Sequence, residues 1–192
     1  MKRILCLSMA ILCCLANPIY AEDVLKVKGL FLGMKISDAR DILHQKLKEV
    51  IGKQFEIIKQ QDGTFALKLE GHKKEEDFAD RIREIASEFD RGADNGIPAI
   101  EADENQNVKF IRIGPALSDK LFNTADLSAN DFVQQFVKAY NLPSMKPFQQ
   151  QFGDKVLSGW EYLSPLGYRL RIYESKSINI KIIPKQTERV FN

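Results

Sequence analysis

Ala39, Ile42, Leu43, Leu47, Val50 and Ile51 recur at steps of three and four, which places them on one stripe of an α-helix. Asp38, Arg40, Asp41, Lys48 and Glu49 occupy the other side. Ser37 offers a side-chain oxygen to the unpaired N–H groups of the helix start, and Gly52 follows the last apolar position, where a helix end favours glycine. Ahead of this helix, residues 27–32 (Val-Lys-Gly-Leu-Phe-Leu) read as a short apolar strand, and Gly33 lets the chain turn from strand into helix. The rest of the chain reads as variations on this unit.

Two alternating runs, 54–59 and 64–69, flank Asp62-Gly63 and predict a β-hairpin. A second amphipathic helix is expected over 75–89, where Phe78, Ala79, Ile82, Ile85, Ala86 and Phe89 share a stripe. From 90 to 106 the apolar period is replaced by Gly92, Gly96, Pro98 and several acids, which predicts a loop between two units. Residues 108–114 are strand-like again, and the opening unit recurs there at one offset: Val27-Lys28 on Val108-Lys109, Gly33 on Gly114, Ile36-Ser37-Asp38 on Leu117-Ser118-Asp119. In this reading 121–127 is an insertion that displaces the second helix, which starts at the cap Ser128, with Asp131 three residues on, and runs through Phe132, Val133, Phe136, Val137 and Tyr140. Strands follow at 156–163, 168–173 and 177–183. In the middle one Tyr168, Leu170 and Ile172 alternate with Arg169, Arg171 and Tyr173. The fold class expected is α+β, with amphipathic helices on an antiparallel sheet, either as two related helix-plus-hairpin units, 22–89 and 107–192, or as one composite sheet.

The stretch Leu30-Phe31-Leu32-Gly33-Met34, followed by a helix and a hairpin, resembles the Gly-Met junction of small secreted α+β modules typified by the β-lactamase inhibitory proteins and the SmpA/OmlA outer-membrane assembly lipoproteins. The resemblance spans roughly residues 27–69, extends to 108–183 through the repeat, and implies an architecture rather than a shared partner. The chain departs from it where Gly114 is followed by Pro115 instead of Met and in having no lipidated cysteine.

Composition changes the picture mainly through the first 21 residues. Lys2-Arg3, the apolar run 4–16 and the ending Pro18-Ile19-Tyr20-Ala21 form a secretory signal, with cleavage expected near Ala21 and the product in the periplasm or secreted. The apolar run is shorter than the ~20 residues a membrane span requires. Cys6, Cys13 and Cys14 all lie inside this signal, so the processed chain would have no disulfide or cysteine-metal framework. Loss of Lys2 and Arg3 brings 28 basic and 26 acidic residues into balance. A balanced, exported chain is a poor nucleic-acid binder.

Chemistry-bearing motifs are few. His44 falls on the polar side of the first helix and His72 in a turn after Gly71, and neither has partners at metal-ligand spacing, so both read as solvated. Neither a Gly-x-Ser-x-Gly motif nor a phosphate-cradling loop occurs, and no cofactor is expected. Asp90, Asp94 and Glu101 fit the first, fifth and twelfth positions of a calcium loop, but Gly92, Asn95 and Pro98 misfit the third, sixth and ninth. Arg169, Arg171 and Tyr173 share the parity opposite the apolar residues of their strand, and with Trp160 they make a candidate protein-binding patch, although for Trp160 the core is the preferred place. The reading is a non-catalytic binding protein for another protein or an envelope component. Two others stay open: an envelope hydrolase using paired carboxylates such as Glu84, Glu88 or Glu161, and a calcium-responsive module.

Overall fold

Tyr168, Leu170 and Ile172 are buried while Arg169, Arg171 and Tyr173 are only half-buried, so the alternation read from the sequence is the alternation of two sheet faces. This is a computed structural model, and it describes residues 24–45, 47–52, 54–70 and 98–183. The expected signal, the helix at 75–89 and the first part of the loop at 90–106 lie outside the described residues. Within them the strands are β1 (Phe55–Lys59), β2 (Phe65–Leu69), β3 (Ala99–Ala102), β4 (Val108–Ile113), β5 (Lys146–Phe152), β6 (Lys155–Leu163), β7 (Tyr168–Tyr173) and β8 (Ile178–Ile182). They form one antiparallel sheet in the order β1-β2-β3-β4-β8-β7-β6-β5.

The helices are α1 (Ile36–Gln45), α2 (Lys48–Ile51), α3 (Pro115–Phe122) and α4 (Ala129–Ala139). Ile36, Ala39 and Leu43 of α1 are fully buried, and α1 lies against β1, β2 and β3. Leu117 and Leu121 of α3 and Phe132, Val133 and Phe136 of α4 join Leu170, Ile172, Ile178 and Ile180 in the same core cluster. The protein is therefore α+β, with helices on an antiparallel sheet. No helix of the described residues is long and apolar enough to cross a membrane.

Among the described residues each half has two helices ahead of four strands, and the last strand of each half, β4 and β8, pair along the middle of the sheet. Ile111 opposite Ile180 and Ile113 opposite Ile178, all buried, form that seam.

The structure corrects several local expectations. Residues 27–32 are a tight reversal rather than a strand: Val27 and Leu30 exchange two backbone hydrogen bonds (2.9 and 3.0 Å) around Lys28 and Gly29. Both central residues have positive φ (54° and 91°), the geometry of the primed hairpin turns, and the turn drops Val27 and Leu30 into the core. Gly33 and Met34 then bond to Val108, so the two stretches that superpose in sequence lie side by side with different conformations. Ser37 is not the cap of α1. The helix already includes Ile36, and the Ser37 hydroxyl donates to Asp38. The long helix ends at Gln45, and after it only the single turn α2 follows, closed by Gly52 in the left-handed conformation as expected. The loop expected through 106 contains β3, and the insertion expected at 121–127 overlaps the end of α3, which starts at Pro115 directly after Gly114. Proline is favoured at a first helical position because its missing N–H would have no partner there.

Candidate functional site

Three tight turns fix the geometry of the β5–β8 face opposite the helices. Ser164–Gly167 closes the β6–β7 hairpin, with Ser164 N–H on the Tyr168 carbonyl (2.9 Å) and Gly167 at φ 82°. That sets Glu161 opposite Arg171 and Leu163 opposite Arg169. The two-residue turn Gly153-Asp154, with Gly153 at φ 58°, joins β5 to β6 and sets Phe148 opposite Gly159 and Lys146 opposite Glu161. Lys176, at φ 66°, closes β7 to β8 and sets Arg171 opposite Asn179 and Arg169 opposite Lys181.

Arg171 is the hub. Its Nε donates to Glu161 Oε2 at 2.6 Å and a terminal nitrogen donates to Gln150 Oε1 at 2.7 Å, while Cζ stands 4.4 Å from the centre of the Phe148 ring. Phe148 in turn meets Tyr173 edge to face at 5.5 Å. Phe148 and Tyr173 both pair in register with Gly159, one from each neighbouring strand. Arg169 Nε approaches the same Glu161 oxygen at 3.8 Å, and Asn179 Nδ2 reaches the Tyr173 hydroxyl at 3.4 Å. The Arg171 side chain is 15% exposed and Glu161 21%, so the guanidinium is held in one orientation by partly desolvated partners.

The site expected from sequence is therefore partly assembled. Arg169, Arg171 and Tyr173 come together as their shared parity predicts. Trp160 does not join them: it pairs in register with Ile172 and packs against the core from the helix side, which excludes it from the patch. Phe148, Gln150 and Gly159 complete the cluster and were missed, because Lys146–Phe152, with Pro147 and three consecutive glutamines, carries no apolar alternation. The available signals were the Gly153-Asp154 pair, a two-residue hairpin turn, and a glycine inside a strand pattern at 159, which marks a close backbone approach.

The other candidates fall elsewhere. Glu161 is occupied by Arg169 and Arg171, an electrostatic role rather than that of a free general acid, and Glu84 and Glu88 lie outside the described residues. Glu101 is in β3, in the ladder opposite Phe110 and Ala66, while Asp90 and Asp94 lie outside the described residues. Among the described residues no group of three or more His, Cys, Asp or Glu side chains could hold a metal ion. His44 is structural rather than solvated: its Nε2 accepts the Phe55 backbone N–H at 2.8 Å and its ring stacks on Phe55.

No family model, no curated protein and no solved structure matches the chain.

Proposed function

We propose that this is an exported, non-catalytic binding protein that recognises another protein or an envelope component through the face of β5–β8 opposite the helices. The observation that carries this reading is the fixed assembly of Arg171, Phe148 and Tyr173 around Glu161. Aromatic and arginine side chains dominate the energetics of protein interfaces, because each presents a large, rigid contact area at small entropic cost. Here the rotamers are already locked by partners within the face, so the ordering that binding normally requires has been met during folding. A hydrolytic site would call for a second, unpaired carboxylate beside Glu161, and what stands beside it is two arginines.

The test is capture from envelope extract by the immobilised processed protein. The wild type should retain a defined partner. Arg171→Gln and Phe148→Ala, each checked for an unchanged circular dichroism spectrum, should each weaken that capture by about tenfold or more, as loss of a central interface anchor does. Undiminished capture by both folded variants would show that recognition lies elsewhere on the molecule.

A further inference from the structure

Three strand turns bring charges from far apart in the chain onto one face, and the balance there differs from that of the whole sequence. One cross-strand row reads Lys146, Glu161, Arg171, Asn179, Arg112. The next reads Leu163, Arg169, Lys181, Phe110, Glu101. The two rows hold five cations and two carboxylates, an excess of three, whereas the full chain has a formal net charge of +2. The remaining residues hold 23 basic and 24 acidic side chains, close to balance, so the excess of cations is local to these rows. Lys146 and Lys181 are exposed, and Leu163, at 57% exposure, adds an apolar contact beside Arg169.

Resting on the binding role proposed above, we infer that the partner is a protein whose contacting surface is acidic, with Asp and Glu carboxylates set against Lys146, Arg169, Arg171 and Lys181. Charge complementarity specifies the sign of the partner, and the guanidinium geometry specifies its class. A planar fork held in place by Glu161 and Gln150 matches a carboxylate on a structured surface, where bidentate contact depends on fixed direction. A fluid anionic bilayer gains nothing from a fixed fork. It would favour aromatic rings free to insert, whereas Phe148 has Arg171 over its face and Tyr173 at its edge.

The experiment uses the processed protein with three probes: a labelled oligo-glutamate peptide, an oligo-lysine peptide of equal length, and phosphatidylglycerol vesicles. The charge variant is the double substitution Lys146→Glu with Lys181→Glu, at two exposed positions, with Lys146→Arg and Lys181→Arg as the conservative pair. Oligo-glutamate should bind the wild type and the arginine pair, bind the glutamate pair about tenfold more weakly, and lose affinity with added salt. Oligo-lysine should not bind, and the vesicles should not sediment the protein. Equal affinity of the glutamate pair, no binding of oligo-glutamate, or sedimentation with vesicles in its place would each overturn the inference. Failure is separable from failure of the binding role. A partner captured through Arg171 and Phe148 but indifferent to the glutamate pair sinks the acidic surface alone, whereas capture indifferent to Arg171 and Phe148 sinks the role itself.

Discussion

At position 159 a missing side chain holds the candidate site together. A Cβ built on Gly159 would stand 2.2 Å from the Ile172 carbonyl oxygen and 2.8 Å from the Tyr173 Cα, and both obstacles are backbone. Neither can rotate away, so Gly159→Ala must push β6 from β7 and part Phe148 from Tyr173. Overpacking of this kind predicts a loss of about 1–3 kcal/mol, read as a lowered urea midpoint, and an unchanged midpoint would refute the close approach. Lys176 is a second residue whose backbone and side chain conflict. Its φ of 66° favours glycine, yet its side chain is only 13% exposed and its ammonium bonds Asp119 Oδ1 at 2.6 Å and the Thr124 carbonyl at 2.8 Å. Lys176→Ala loses the clamp and keeps the strained backbone, whereas Lys176→Gly loses the clamp and relieves the strain. The alanine variant should thus be the less stable of the two by about 1 kcal/mol in chemical denaturation. The reverse order would mean that the left-handed backbone costs nothing here.

Among the elements, the β3–β4 turn depends on one carboxylate. Asp103 Oδ1 accepts the backbone N–H groups of Asn107 (2.8 Å) and Asn105 (2.9 Å). The Asn107 N–H is the main cause that holds the Asp103 carboxyl below the ordinary aspartate range; partial burial opposes it, and the Asn107 side chain, the Asn105 N–H and Lys35 add to it. Because the folded state binds this proton less readily than the unfolded chain, the stabilisation is present at neutral pH and is lost as pH falls through the folded value. The stability difference between wild type and Asp103→Ala should accordingly be largest near neutrality and shrink in acid, as followed by denaturant midpoints against pH. A difference that stays constant with pH would remove the charge from the account. Elements with a strong period were legible from sequence. In α4 the cap Ser128 accepts the Asp131 N–H as expected, β7 follows its alternation throughout, and β8 follows it through Ile178 and Ile180 while Ile182 is exposed. Elements made by tertiary pairing were not legible: β3 is four residues flanked by β2 and β4, and β5 is held by its register with β6. The apolar run 27–32 misled because two positive-φ residues reverse it, something hydrophobicity does not encode. His44 was read as solvated because its partner is the backbone of an edge strand eleven residues away, β1, whose outward N–H it satisfies.

For the whole molecule, the seam of β4 and β8 joins two sets of four strands into one surface, and this is why the charged rows can extend from Lys146 to Arg112. Half of the candidate site was visible in sequence because Arg169, Arg171 and Tyr173 alternate along a single strand. Phe148 and Gln150 were not, since Gln150 lies 21 residues from Arg171 and reaches it only through the β5–β6–β7 pairing. A surface built across strands predicts contacts from several strands at once and none from the helices behind. The most direct measurement replaces Leu163, Lys181 and, on α4, exposed Lys138 one at a time with a photo-reactive amino acid, and maps the adducts formed in envelope extract by mass spectrometry. The account predicts the same partner polypeptide cross-linked from 163 and from 181, and nothing from 138. Adducts from 138 alone, or from none of the three, would contradict it.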